Sequence, residues 1–350
     1  MNNTKISLIF ACYNVSQYLD KLFHLLATQA YQNIEIIFVE DCSTDDTKIK
    51  LKSFHDSRVK LLFNEQNIGA AESRNRGIQI SQGEYIWFPD PDDLFDAKLL
   101  PKVGSVISEF NPDVISIGMQ ERYEIDGKLS YTKNIVTEFE GFITTNFNSV
   151  LVNLEETFLF GYTNNKFYKK EIIDKYHIKN EHQALKEDFE FNIKVFSVIS
   201  NFYILNEPLY FYMKRNNGSL TAKFVPDYFS IHMKTLSLFI KLLQVRGELN
   251  QNAIELVVNR FIRYTLSAIE RNTSPNANLT LKEQKDWIIG SVYNQEQFKL
   301  MVNNACFVSK KQKPIYFLLK YKMSSLLVLL GNFVKLVKSK LPILFTKLKG

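Results

Sequence analysis

The sequence predicts an α/β fold: a mostly parallel central sheet flanked by helices, followed by a C-terminal helical region. Three observations carry this. Short apolar runs alternate with helical patterns of about 10–15 residues early in the chain, the rhythm of right-handed strand–helix–strand crossovers. Polar residues follow these runs, so Tyr13, Asp41, Asn67 and Asp90 to Asp93 gather on one rim of the sheet, where open α/β sheets bind ligands. The fourth run, Tyr85 to Phe88, leads straight into three carboxylates: Asp90, Asp92 and Asp93.

Taken in order, residues 6–11 form the first strand and end in Cys12-Tyr13-Asn14, and a helical pattern covers 16–29. Residues 34–39 form the second and run into Glu40-Asp41-Cys42-Ser43-Thr44-Asp45. The next helix spans 44–54, with Ser43 and Asp46 at capping-box spacing. Residues 59–63 are the third strand, followed by Asn64 to Gly69 and a helix over 70–80. The carboxylates after the fourth strand repel one another unless a cation or donor groups neutralise them. Sparse hard oxygen ligands suit Mg²⁺ or Mn²⁺ shared with substrate phosphates. The same stretch also reads as a solvated loop in which Asp93 caps a helix beginning near Lys98.

Residues 114–119 read as a further strand, and Asp126-Gly127 within 122–136 is a hairpin signature. In Tyr162-Thr163-Asn164-Asn165-Lys166-Phe167-Tyr168, Lys166 alone reads as a solvated loop charge. Glu187 and Asp188 precede Phe189, Ile193 and Phe196, which have helical spacing. Asp188 therefore falls at or just inside a helix N-terminus, where acidic residues compensate the dipole. An aromatic strand from Leu209 ends in Lys214, Arg215 and a polar loop; read alone, this is a basic turn.

Composition narrows the classes. The 350-residue chain has a 45% hydrophobic fraction, enough for one large domain or two. Three cysteines without metal spacing fit a reduced compartment, and five scattered histidines make no zinc motif. Neither a phosphate-cradle loop nor a dinucleotide-binding glycine turn follows the first strand, which argues against an ATPase or a dehydrogenase. The N-terminus reads as the first strand rather than a secretion signal.

Four segments in combination, Ser7 to Asn14, Val39 to Asp45, Asn67-Ile68-Gly69 with Ser73-Arg74-Asn75-x-Gly77-Ile78, and Asp90-x-Asp92-Asp93, resemble family 2 glycosyltransferases over about the first 220 residues. Glu40 and Cys42 depart from the family pattern, which often has Asp and Gly there. Cys42 sets a question about the turn, because a residue with a Cβ adopts positive φ less readily than glycine. The resemblance implies a GT-A fold and transfer of a sugar from a nucleotide diphosphate. It implies Asp188 as catalytic base with Glu187 supporting it, and Asp92 with Asp90 as ligands of Mn²⁺ or Mg²⁺. It implies donor contacts from Tyr13, Asp41, Asn67, Arg74, Asp90, Lys214 and Arg215, and it offers a second reading of Lys166, as part of an Asn-Lys-aromatic segment similar to one that family members carry near the acceptor side. Asp41 suits a uracil N–H, favouring a UDP-sugar, and Tyr13 suits stacking on the base. One displacement with one base inverts the anomeric centre. Glu187, a like charge beside Asp188, is expected to raise the base's proton affinity.

Residues 226–269 read as apolar helices and 280–305 as helical again. From 310 to 350 there are ten lysines and no acidic residue, whereas the whole chain is only +6. The basic balance thus belongs to the tail, and nucleic-acid binding by the body is not expected. On a helical projection Leu319, Met323, Leu326, Leu330, Phe333, Val334 and Val337 share one face, with Lys320, Ser324, Gly331, Lys335 and Lys338 on another. A basic amphipathic helix lying on an anionic membrane surface fits this pattern, with packing on the enzyme's own body as the alternative.

The expected organisation is a nucleotide-sugar-binding half over 1–120, an acceptor and catalytic half over 121–225, a helical region over 226–309 and a membrane-associating tail over 310–350. The expected function is inverting glycosyl transfer to a saccharide acceptor, lipid-linked, in capsule, exopolysaccharide or other surface-glycan synthesis. The expected location is cytoplasmic, peripheral on the inner face of the membrane. Pairing with a second copy or a partner glycosyltransferase is left open. A nucleotidyltransferase and a non-catalytic partner subunit are the alternatives.

Overall fold

The computed structural model describes residues 4–125, 128–215 and 224–340. The chain divides into two compact units, Met1–Leu220 and Thr221–Gly350.

The first unit opens with β1 (Ile6–Cys12), α1 (Ser16–Ala27), β2 (Ile34–Glu40), α2 (Thr47–Ser53), β3 (Val59–Phe63), α3 (Gly69–Ile80) and β4 (Tyr85–Trp87). β1 lies between β2 and β4, β3 pairs with β2, and all three ladders are parallel. Every residue of β2 is buried, as in a strand covered on both faces. The capping box at Ser43 and Asp46 does not form. α2 begins at Thr47, Ser43 Oγ instead accepts from the Asn14 amide at 3.1 Å, and Asp45 accepts from the Thr47 and Ser16 amides.

The unit continues with β5 (Leu94–Phe95), α4 (Leu99–Phe110), β6 (Val114–Ile125), β7 (Lys128–Ile135), β8 (Gly141–Ile143), α5 (Phe147–Glu156), β9 (Lys166–Lys169), α6 (Lys170–Lys175), α7 (Glu187–Val198) and β10 (Phe202–Arg215). The sheet order is β3-β2-β1-β4-β9-β6-β10-β5, with β7 on β6 and β8 on β10. β6 and β10 are parallel, while β9 runs antiparallel to both its neighbours, β4 and β6. β6 and β7 pair as a hairpin; its Asp126-Gly127 turn lies outside the described residues.

The second unit is helical: α8 (Tyr228–Val245), α9 (Gln251–Asn272), α10 (Leu281–Trp287), α11 (Glu296–Asn303), α12 (Lys313–Lys320) and α13 (Ser324–Lys340). Caps start two of them. Asn250 accepts from the Ala253 amide, and Thr280 with Glu283 forms a capping box. Phe261, Ile262, Met301, Leu319, Leu327 and Val328 share one apolar cluster, so residues 310–338 build the same core as 226–309. The inward side of α13 carries Ser324, Leu327, Val328 and Gly331, while Leu326 and Phe333 are exposed. The projected faces are therefore mixed: Leu326 and Phe333 of the apolar one are exposed but Leu319 is buried, while Ser324 and Gly331 of the polar one turn inward and Lys320 and Lys338 stay outside. Gly331 lets α13 approach α9 so closely that a Cβ there would meet Ile269 Cγ2 at 2.7 Å. Lys335 turns its amine onto the Thr273 carbonyl at the C-terminal end of α9, at 3.0 Å.

Candidate active site

The rim of the sheet is organised by a few multiply bonded side chains. Asp41, directly after β2, is buried, with 2% exposure. Its Oδ1 accepts from Asn64 Nδ2 at 2.7 Å and the Ile68 amide at 2.9 Å, and its Oδ2 accepts from the Gly69 amide at 2.8 Å. Asp41 thereby folds the 64–69 loop over itself, with Gly69 at φ 85° where its amide reaches the carboxylate. Cys42 adopts φ 57°, so the turn takes the left-handed conformation despite its Cβ. Asn67 is exposed at the loop's tip; Asn64 is the buried partner, a role that sequence spacing did not single out. Tyr13, 47% exposed after β1, offers an open ring at the same rim.

Arg74, on α3 and only 8% exposed, joins two distant segments. Its guanidinium donates to Asp188 Oδ1 at 2.7 Å and to Asp90 Oδ1 at 3.1 Å. Asp90 Oδ2 accepts from Asn164 Nδ2 at 2.9 Å. Burial pushes the Asp90 carboxyl up to about 6, with Arg74 opposing and Asp92 and Asp188 adding to the rise. Asp188 is the second residue of α7 and follows Lys186, which holds φ 68°. Its immediate partner is the Arg74 cation, not the like charge of Glu187. Glu187 accepts from the Gln183 amide at 3.2 Å, and burial raises its carboxyl.

The remaining carboxylates of the motif diverge. Asp93 is buried, accepts from Tyr210 Oη and the Met213 amide at 2.7 Å each, and caps no helix. Burial and its two acidic neighbours raise its carboxyl well above the ordinary range. The Asp92 side chain is 43% exposed; its Oδ2 lies 3.4 Å from Arg215 Nη1, and its backbone carbonyl accepts from Arg215 Nη2 at 2.8 Å. Arg215 also bonds Glu124 and covers the Tyr18 ring. Lys214, the adjacent strand residue, pairs instead with Glu121 at 2.5 Å. A cavity of about 330 Å³ opens beside Asp92, lined by Tyr18, Lys21, Arg122, Glu124 and Arg215 among others. Among the described residues, no three Asp, Glu, His or Cys side chains converge as a ready-made metal cage. Asp92 has a more open side chain than Asp90, 43% against 31% exposed.

Lys166 departs from the solvated-charge reading of its segment. It is fully buried on β9 and is no solvated charge. Its Nζ donates to the carbonyls of Leu159, Phe160 and Tyr162 and to Asn165 Oδ1. Burial lowers its amine to about 7, against the pull of Asp188 and Glu155. Asn192, one turn beyond Asp188 on α7, donates to the carbonyls of Phe160 and Tyr162 as well. The 159–165 turn is therefore gripped from two sides, and it presents Asn164 to Asp90. The sequence signal was the polar run 163–166 set between aromatic residues.

Residues 7–177 match the family model described as glycosyl transferase family 2. The chain carries a family 2 glycosyltransferase domain. Glycosyltransferase GlyG of Streptococcus pneumoniae is 29% identical over 235 residues, 63% of this chain and 74% of that protein. The Escherichia coli protein WfgD, a UDP-Glc:alpha-D-GlcNAc-diphosphoundecaprenol beta-1,3-glucosyltransferase, is 36% identical over 100 residues, 29% of this chain and 40% of that protein. The crystal structure of S. aureus TarS 1-349 with UDP-GlcNAc superposes with a TM-score of 0.68 at 19% identity, covering 94% of this chain and 90% of that one. At that identity the likeness establishes the architecture, a GT-A fold with C-terminal helices. This glycosyltransferase is thus related to enzymes of cell-wall and surface-polysaccharide synthesis.

Proposed function

We propose that this family 2 glycosyltransferase moves a sugar from a UDP-sugar to a hydroxyl of a lipid-linked saccharide acceptor, with inversion, in surface-glycan assembly. The observation that carries the reading is the Arg74 bridge, which sets Asp188 and Asp90 on one guanidinium although 98 positions separate them in sequence. In this reading Asp188 is the base. Arg74 holds Oδ1, so Oδ2 takes the acceptor proton as the hydroxyl attacks the anomeric carbon. Proton removal of this kind contributes roughly 10²- to 10⁴-fold. The bond to the donor diphosphate breaks on the opposite face, so an α-linked donor gives a β-linkage. Glu187 supports the base from the same helix turn.

Tyr13 stacks on the nucleobase. Asp41 meets the uracil N–H through Oδ2, which has one internal donor against two on Oδ1. Asn67 and Arg74 face the donor, and Arg215, with Lys214 behind it on the strand, stands on the leaving-group side. Asp92, with Asp90 beside it, would hold Mg²⁺ or Mn²⁺; such an ion neutralises charge on the departing diphosphate. The uridine donor and the lipid-linked acceptor draw support from the names of the TarS complex and of WfgD. A cytoplasmic-face location, with residues 310–350 against anionic lipid, completes the reading.

The test is a panel of nucleotide sugars incubated with the full chain, scoring released diphosphate with and without a lipid-diphosphate saccharide. UDP release from one donor, rising when acceptor is added, is the expected result. Turnover confined to GDP- or dTDP-sugars would overturn the uridine assignment. Pyrophosphate release from a nucleoside triphosphate would replace glycosyl transfer with nucleotidyl transfer.

A further inference from the structure

The exposed side of the last two described helices carries a continuous apolar strip. Leu326, Leu329, Phe333 and Leu336 follow one another at intervals of three, four and three residues, so they share one face of α13. They are 43%, 62%, 61% and 50% exposed. Met323, just before α13, is exposed as well, as are Phe317 and Tyr321, stacked at a ring separation of 6.4 Å at the end of α12. The opposite face of α13 is already used, because Leu327, Val328 and Gly331 are packed against the helical core. The strip is therefore a fixed outer surface. The segment itself is of one sign: Lys310, Lys313, Lys320 and Lys322 are exposed, and residues 310–350 contain no acidic side chain, while Glu270 of α9 is paired with Lys338 at 3.4 Å. Among the described residues no helix is long and apolar enough to cross a membrane.

We propose that the outer face of α12 and α13, centred on Leu329 and Phe333, is a preformed surface that inserts into the headgroup region of an anionic bilayer. This rests on the membrane part of the reading above and changes its geometry. The helix does not detach and fold on lipid. It stays docked on α9 and presents its other side. An apolar strip wants the acyl boundary, aromatic residues settle at the interface, and lysines at its edge want anionic headgroups. A second copy of the chain would cover the apolar strip equally well, but it would bring one lysine-rich rim against another. Charge complementarity therefore selects the bilayer.

The experiment uses the full chain and vesicles of phosphatidylcholine, with or without phosphatidylglycerol, in a sedimentation assay. Wild type should pellet with the anionic vesicles and much less with the neutral ones. Leu329→Glu/Phe333→Glu should lower partitioning roughly tenfold or more while the melting temperature stays put, since both side chains already face solvent. Lys320→Glu/Lys322→Glu should weaken binding at low salt and much less at high salt. If wild type ignores anionic vesicles, the membrane reading itself falls. If wild type binds and the Leu329/Phe333 variant binds equally, that reading stands and this face is the wrong one. A wild-type dimer in sedimentation velocity that the same variant dissociates, without vesicle binding, would assign the strip to a second copy instead.

Discussion

Arg74 serves two carboxylates with one charge, so replacements at the two ends should behave differently. Asp188→Asn keeps an acceptor for Arg74 Nη1 but cannot take a proton. Turnover should fall by roughly 10²- to 10⁴-fold, with UDP affinity by calorimetry within a factor of about two of wild type. Near-normal turnover would move the base to Glu187. Lys166 invites a stability test with a definite sign. Its folded amine titrates near 7, below the ordinary lysine value of 10.5, so the unfolded chain binds more protons between those limits. Its contribution to stability therefore rises as pH climbs from about 7. The melting temperature of wild type minus that of Lys166→Met should be larger at pH 9 than at pH 6.5. An unchanged difference would show that the buried amine does not titrate in this range.

At the scale of elements, α13 meets α9 through the absence of a side chain. Gly331→Val would drive a methyl group into Ile269 and into the α9 backbone behind it. The expected loss is about 1–3 kcal/mol by denaturant titration, the usual cost of overpacking. Truncation after Ser309 should do worse, since it removes Tyr316, Leu319, Leu327 and Val328 from a shared core. Light scattering of the truncated protein should show aggregation rather than a tractable soluble enzyme. These helices also mark where sequence reading stopped. β1 to β4 were legible because each is a short apolar run between polar breaks, and parallel pairing followed from the intervening helices. β9 was not: four residues long, it carries a lysine that reads as exposed until three carbonyls are seen to face it. The helix α13 was legible but its inward side only in part, since Gly331 and Ser324 look polar or neutral on a projection while Gly331 meets α9 and Ser324 is buried against Tyr293.

For the molecule as a whole, ligand binding should report the rim without any knowledge of the acceptor. UDP should raise the melting temperature of the full chain by mass action, more with Mn²⁺ or Mg²⁺ present than in excess chelator, and more than GDP does. An equal shift with and without chelator would remove the metal from donor binding, and an equal shift from GDP would remove Asp41 from base selection. In the candidate site, the carboxylates at 41, 90 and 92 stood out because they gather at strand ends, whereas Asp188 came from the family resemblance, since read alone it only compensates a helix end. Sequence reading missed Asn64, Asn164 and Asn192, whose amides hold those carboxylates or the turn beside them, because an asparagine in a loop has too many ordinary uses to stand out.

The antiparallel strand at the centre of the sheet also sets a timetable. β4 is fully buried, and the neighbour that covers its far edge, β9, is encoded about eighty residues later. At roughly 5–20 residues per second, a ribosome leaves the Tyr85–Trp87 edge bare for several seconds after it is made. A bare, aromatic, uncharged edge is a template for wrong partners. The nascent chain must therefore shelter its own midline until its second half arrives.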